Sequence, residues 1–427
     1  MVNQAETKTD DTPESAVSEN FQKLQGGGKL NPAMSFLNSA ALERFLSTGY
    51  PRRANELFSY VNIKELIATP FACRYGPAAE PDAGAVRKNI VKGCEGSVIV
   101  IVDGKFNEKL SNVDALKGSV EIKPLEESVS SGWVRRRVEE SLNEEKDAFA
   151  LLNSAFTAGG VVVDIAESSR LDAPILILHL STAPNGPEVM TTPRVVARVG
   201  RGAKAGLLVK YAGPGGNFVN SFTDIAVEEN AELNYSNIQL EPDEGRRFCR
   251  TRITIKKDGK FFGANGSSGG RLVRNSYEVL LLGEGAELGF NSVAVPGGGG
   301  QAHHFVRVRH EAEGCVSNQW FRNILTDSAR ASTNTTVKVA PGARETKSTQ
   351  LINNLMLSPD ARADNKPNLM IFADDVNCTH GATIAQLNDN ELFYLRSRGL
   401  PDEFARSVLI SSFARSIIDR VSYTPAR

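Results

Sequence analysis

GEGAELGF, residues 283–290, is one of six turns of the same form, and the interval between those turns decides the fold. The others are GRGAKAGL (200–207), EENAELNY (228–235), TDSARAST (326–333), APGARETK (340–347) and SPDARADN (358–365). Each carries a turn residue, then an alanine (Ala203, Ala231, Ala286, Ala329, Ala343, Ala361), then in most cases a charged residue. Two more turns, KKDGKF around Gly259 and EAEGCVSN around Cys315, fill the gaps, and the series then advances by 28, 28, 27, 29, 14, 14 and 18 residues. A unit of about 14 residues, often doubled, is an internal repeat. The runs between turns are rich in Val, Ile, Leu and Thr, which disfavours helix, and they are too short for β-α-β crossovers. Short strands, small turn residues pointing inward and a fixed period predict stacked coils, a mainly β solenoid or β-helix spanning 161–386. On the pattern alone a jelly roll or sandwich competes with it.

Outward from the repeat, the texture changes at both ends. Residues 1–29 are rich in Ser, Thr, Asp, Glu and Gly without apolar periodicity, and they are expected to form a disordered leader. Residues 30–160 are expected to be mainly helical. Phe36, Ala40, Leu42, Phe45 and Leu46 share one side of a helix, and VEESLNEEKDAFALLNSAF (138–156) forms another. SVIVIVDGKF (97–106) interrupts them as a strand with an Asp103-Gly104 turn. Residues 387–427 turn helical again. NDNELFYLRSRGL (388–400) ends at Gly399, and in PDEFARSVLISSFARSIIDRV (401–421) the residues Phe404, Val408, Leu409, Phe413 and Ile417 make an apolar face. That face packs either on the protein's own core or on a partner.

Composition narrows the function. Lys plus Arg number 49 against 50 Asp plus Glu, with no basic stripe, which argues against a nucleic-acid partner. The apolar runs fall far short of the roughly 20 residues of a membrane helix, and the acidic start resembles no targeting signal, so the reading is a soluble, cytoplasmic protein. Five scattered cysteines without a C-x-x-C pair suit a reducing compartment. The glycine runs GPGGN, GSSGG and PGGGG lack the order that phosphate binding requires, so no nucleotide site is expected.

FADDVNCTHGAT (372–383) carries the one suggestive donor set. As a strand it would put Asp374, Val376, Cys378 and His380 on one face and Asp375, Asn377 and Thr379 on the other. A thiol, an imidazole and a carboxylate pointing one way suit a metal or sulfur site completed by another chain, because two or three donors do not close a tetrahedral shell. A buried thiol beside an imidazole bonded to a carbonyl fits the spacing equally. QAHHFVRVRH (301–310) places His304 and His310 on one face and His303 on the other, so the three do not converge, and a polar, partly exposed strand is expected. A solenoid could also be a carbohydrate-active enzyme, but that chemistry needs paired carboxylates, and Asp374 and Asp375 would point apart. A purely structural solenoid is the remaining alternative.

Residues 353–400, NNLMLSPDARADNKPNLMIFADDVNCTHGATIAQLNDNELFYLRSRGL, closely resemble the SufB/SufD family of scaffold subunits of the SUF iron–sulfur cluster assembly system. The likeness continues through GEGAELGFNSV, HHFVRVRHEA and SNQWFRNIL, and through GYPRRANELFSYVNIKEL, which has Phe58 where the family usually has Trp. Gly381-Ala382-Thr383 and Gln386-Leu387 match its SufD branch rather than SufB. The resemblance implies a right-handed parallel β-helix flanked by helical N- and C-terminal domains, and a non-enzymatic role. It also implies a complex with SufB and two copies of the ATPase SufC, with a homodimer possible for the isolated chain. A transient iron–sulfur cluster would form at the SufB–SufD interface, shared with SufB, with His380 as the implicated residue and Cys378 beside it. The C-terminal helices, with Phe404, Val408, Leu409 and Phe413, would be where SufC docks.

Overall fold

A computed structural model describes residues 12–421 except 53–54, 70, 74–81, 131, 183–188 and 215–216. The solenoid strands alternate between two sheets. The odd-numbered strands are β1 (Val161–Ile165), β3 (Arg194–Val199), β5 (Phe218–Val227), β7 (Arg246–Ile255), β9 (Leu272–Leu281), β11 (Gln301–His310), β13 (Arg330–Val339) and β15 (Arg362–Ile371). The even-numbered strands are β2 (Ile175–Leu180), β4 (Lys204–Ala212), β6 (Glu232–Glu241), β8 (Lys260–Gly269), β10 (Glu287–Val295), β12 (Val316–Leu325), β14 (Lys347–Met356) and β16 (Asn377–Ala385). Each inner strand pairs in parallel with the strand two before it and the strand two after it. All-parallel pairing between successive coils is a parallel β-helix of about seven turns and excludes the jelly roll.

The repeat of turns has three physical causes in the structure. The alanines at 203, 231, 286, 329, 343 and 361 are buried, because a coil corner leaves room for one methyl group and little more. Ahead of each even-numbered strand from β4 onward, one residue takes a left-handed conformation: Gly202, Asn230, Asp258, Gly285, Gly314, Glu345 and Asp375, with φ between 53° and 69°. Glycine, asparagine and aspartate tolerate this region best, which explains their recurrence at six of the seven corners, with Glu345 the exception. The charged residue after the alanine stacks on its counterpart one coil away. Lys204 meets Glu232 at 2.8 Å and Lys260 meets Glu287 at 3.2 Å, an exposed ladder with a spacing of about 28 residues.

Between the sheets lies the main core, in which Tyr277 stacks near Phe290 (4.5 Å) and Phe290 near Phe321 (5.8 Å). Polar side chains inside it satisfy one another across coils, as Gln239 with Asn275 (2.9 Å) and Asn323 with Asn354 (2.8 Å). A buried amide left alone would cost more than its bond contributes, so the stacking of coils is what permits these residues inside.

The outer face of the odd sheet is covered by helices α1 (Pro13–Gly26), α2 (Ser35–Thr48), α3 (Gly132–Asn143) and α4 (Ala148–Phe156). Every residue of α4 is buried, and its Phe149 meets Phe248 of β7 edge-on at 4.7 Å. Phe58 lies in the same cluster, under the guanidinium of Arg274 at 4.0 Å. The expected strand near residue 100 is present as Val98–Val102, paired in parallel with β2. The disordered leader expected over 1–29 is corrected from residue 12 onward, residues 1–11 lying outside the described part. Thr12 caps α1 in a capping box with Ser15, and Phe21 and Leu24 are buried against the helical layer. Two apolar residues three apart were too weak a periodicity to reveal a helix that gains its stability from tertiary packing.

Candidate functional site

Among the described residues the solenoid ends at β15 and β16, each of which has a neighbour on one side only. Their register fixes which side chains face the interior. In β14 the alternating buried positions are Ser348, Gln350, Ile352 and Asn354, with Leu355 buried as well, and the partners of those four in β16 are Cys378, His380, Ala382 and Ile384. In-register partners in a parallel sheet point the same way, so Cys378 and His380 face inward over the last covered coil. No further coil among the described residues covers them. His380 is consequently exposed, and Cys378 is half-buried against the end of the core.

The alignment of three donors on one strand face is only partly realised. Cys378 and His380 share the inward face, about 6.6 Å apart along the strand at 3.3 Å per residue. Asp374 does not join them, because β16 begins at Asn377 and Asp375 occupies the left-handed corner with φ of 53°. Its carbonyl accepts from the backbone N–H of Glu345 at 2.9 Å, so the Asp-Asp pair belongs to the turn. Burial pushes the Cys378 thiol up, and a hydrogen bond with the backbone at Ser348 offsets part of that shift. A metal or a neighbouring cation is needed to make it a thiolate donor. Among the described residues no three His, Cys, Asp or Glu side chains are grouped to hold a metal ion. The mouth therefore offers two donors, not a closed shell.

Behind His380 stands an in-register column of Gln319, Gln350 and His380 on β12, β14 and β16. Gln350 donates to Thr335 at 3.1 Å, and Thr335 donates to Gln319 at 2.8 Å. The carbonyl oxygen of the Gln350 side chain is buried and accepts no hydrogen bond from the described residues.

The histidine-rich strand β11 separates its imidazoles as alternation predicts, but all three are buried rather than partly exposed. His304 bonds Ser292 (3.3 Å) and His310 bonds Ser317 (2.9 Å) inside the solenoid, while His303 bonds Ser332 (2.7 Å) beneath the N-terminal layer. Desolvation pushes His304 and His310 down to about 4 and His303 to about 3, so they stand neutral in the fold. The polarity of His303 suggested exposure because the sequence does not reveal which sheet face will be roofed by helices, and that of His304 and His310 because serine partners inside the solenoid are set by the stacking of coils.

Two C-terminal helices follow, α5 (Asp389–Ser397) and α6 (Asp402–Ile418). The apolar face of α6 is divided. Ala405 and Ile417 are buried, and Phe413 lies against β12, where Arg322 covers its ring at 4.3 Å and donates to its carbonyl at 3.0 Å. Val408 and Leu409 are half-buried, whereas Phe404 is exposed. Phe393 and Tyr394 of α5 are exposed as well, and sequence reasoning missed them. Adjacent aromatics inside a polar helix were their only signal. Met370, Ile371, Phe372 and Ile384 add exposed apolar surface at the open coil.

Comparison with known proteins agrees with this architecture. A family model described as the SufBD core domain of SUF-system FeS cluster assembly matches residues 180–413, and one for the SufBD N-terminal region matches residues 28–177. The iron–sulfur cluster assembly protein SufD of Escherichia coli is 28% identical over 383 residues, covering 88% of this chain and 87% of that one. A SufBD family protein of Synechocystis is 28% identical over 392 residues, covering 87% and 84%. The chloroplastic protein ABCI7 of Arabidopsis thaliana is 26% identical over 396 residues, covering 90% and 82%. With a core model matching more than half its length on a fold of stacked parallel coils, the chain belongs to the SufBD family of SUF-system iron–sulfur cluster assembly proteins.

Proposed function

We propose that the chain is a non-enzymatic, cytoplasmic scaffold whose open coil forms half of a cluster-assembly site, the other half coming from a SufB-type subunit. The observation that carries this reading is the inward, uncovered placement of His380 and Cys378 on the last strand of the solenoid. An imidazole and a thiol on one strand can each ligate iron, and the remaining positions stay open to thiolates or carboxylates from the partner. His380 is the readier donor, since burial keeps the Cys378 proton in place until a metal displaces it. The free edges of β15 and β16, bordered by Ile371 and Ile384, suit strand-to-strand docking with that partner. The cluster is transient cargo in this scheme and is shared across the interface.

Energy for opening and closing the site would come from a SufC-type ATPase bound at α5 and α6. Phe404, with Phe393 and Tyr394, supplies the exposed aromatic surface, and Val408 and Leu409 border it. Phe413 is better read as the anchor that holds α6 on β12, where an Arg322 contact would transmit motion of the helix to the sheet.

The test is His380→Ala co-produced with its partner subunits under anaerobic conditions, followed by iron and acid-labile sulfide analysis. Cluster yield is expected to fall at least about tenfold while the complex still co-purifies, because an exposed side chain contributes little to stability. Wild-type cluster content in the variant would sink the proposal. Cys378→Ser should weaken cluster retention less than His380→Ala does.

A further inference from the structure

One polar atom directly behind the open coil is left over. Gln350 of β14 is 1% exposed, and its side-chain oxygen Oε1 meets no donor among the described residues. Burying an acceptor without a donor is costly, so this oxygen calls for a partner. The hydrogen-bonded chain behind it sets which end of the amide is free. Gln350 Nε2 donates to Thr335 Oγ1 at 3.1 Å, and the single hydroxyl proton of Thr335 goes on to Gln319 Oε1 at 2.8 Å.

The neighbouring polar side chains are engaged elsewhere. Ser348 shares a hydrogen bond with Ser317 at 2.9 Å, and Asn354 donates to Asn365 (2.9 Å) and to the Thr383 carbonyl (3.0 Å). Across the solenoid interior, the in-register successor of Thr335 is Pro367 of β15. Proline has no donor to offer, so the last coil does not repeat the hydroxyl that serves Gln319 and Gln350. The side chain stacked on Gln350 from the open end is His380. In-register neighbours on paired strands lie about 4.8 Å apart and point the same way, within reach of an amide and an imidazole turned toward each other.

We propose that Gln350 is a positioning residue for His380: its Oε1 accepts from one ring nitrogen of the imidazole, leaving the other nitrogen unprotonated and directed into the mouth. A carbonyl behind a ligating histidine selects the tautomer, fixes the ring and strengthens the imidazole as a donor. Gln350 itself touches no iron, and Thr335 and Gln319 hold its amide in the required direction. The purpose of this hydrogen bond rests on His380 being a cluster donor, but the bond belongs to the metal-free chain and is measured there.

The test is nitrogen-15 NMR of the metal-free full chain carrying labelled histidine, at about pH 8.5, above the ordinary titration range of imidazole. His380→Ala assigns the His380 signals by their loss. Wild type is expected to show one His380 tautomer, Gln350→Leu a mixture of both, and Thr335→Val, which frees the amide to turn, an intermediate state. In the anaerobically prepared complex with the partner subunits, Gln350→Leu should lower cluster yield by about tenfold and Thr335→Val by a few-fold. Mixed tautomers in wild type, or His380 signals alike in wild type and both variants, would overturn the proposal and leave the role of His380 standing. Wild-type cluster yield in Gln350→Leu would also overturn it. If Gln350→Leu does not fold, the wild-type tautomer and Thr335→Val decide. Full cluster yield in His380→Ala would instead remove the site that the hydrogen bond serves, whatever the NMR shows.

Discussion

His303, His304 and His310 illustrate how one residue type takes opposite roles in this chain. Each is buried, neutral and bonded to a serine, whereas His380 stands at the uncovered mouth. These three, like the buried His179, tie stability to pH. The unfolded chain takes up protons as pH falls through about 6.5, while the folded chain refuses them until about 4 for His304 and His310 and about 3 for His303. Their stabilising contribution is therefore complete above about 6.5 and is lost as pH drops toward 4. Unfolding free energies from urea titrations should be lower at pH 5 than at pH 7, by up to about 1.4 kcal/mol per pH unit for each histidine. His310→Gln should flatten that dependence; an unchanged slope would show that the imidazole titrates alike in both states. At the candidate site, Cys378 and His380 were legible in the sequence because strand alternation alone puts them on one face. The misplacement of Asp374 had an equally local origin, since alternation was extended through a corner whose left-handed Asp375 it did not anticipate.

At the scale of the element, the coil corner is the unit that the sequence writes most clearly. A left-handed residue, a buried alanine and an exposed charge recur because every coil must turn within the same space. Gly314 has φ of 68° and open space where a Cβ would project, its nearest neighbour being 3.9 Å away. Gly314→Val should consequently destabilise the protein by backbone strain alone, about 1–2 kcal/mol, measurable in denaturant unfolding. A loss below about 0.3 kcal/mol would mean that the corner relaxes out of the left-handed region. Helix α6 was legible as amphipathic but not as divided. Its periodicity could not foretell that Arg322 and Trp320 would hold its C-terminal half, with Arg420 3.5 Å over the indole, while Phe404 stays uncovered. Pro367 in β15 was a missed signal of a different kind. Proline withdraws a ladder donor and is confined to edge strands, so this residue by itself marks β15 as the last strand of its sheet.

At the scale of the molecule, a stack of coils must terminate, and its end is where backbone pairing capacity and apolar surface remain. Met370, Ile371, Phe372 and Ile384 are exposed together on β15, β16 and the turn between them. In the absence of a partner, the isolated chain is expected to self-associate through this end in a concentration-dependent way. Ile384→Lys should shift sedimentation toward the monomer without lowering thermal stability, because a charge on an open edge opposes strand addition. Association of equal strength in the variant would place the contact elsewhere. The N-terminal layer is the other whole-molecule feature. It roofs the odd sheet with a cluster of buried ion pairs, such as Arg274 with Asp147 (2.6 Å) and Arg250 with Glu145 (2.8 Å), each joining residues more than 100 positions apart.

The sequence by itself determined the coil: its period, the corner chemistry and the inward face that Cys378 and His380 share. These rest on interactions between near neighbours or on a repeat, and both are written along the chain. Only the tertiary structure decided which sheet face is roofed and how α6 divides its apolar side. Those outcomes depend on contacts between segments distant in the chain, where burial is set by what happens to cover a residue rather than by the residue itself.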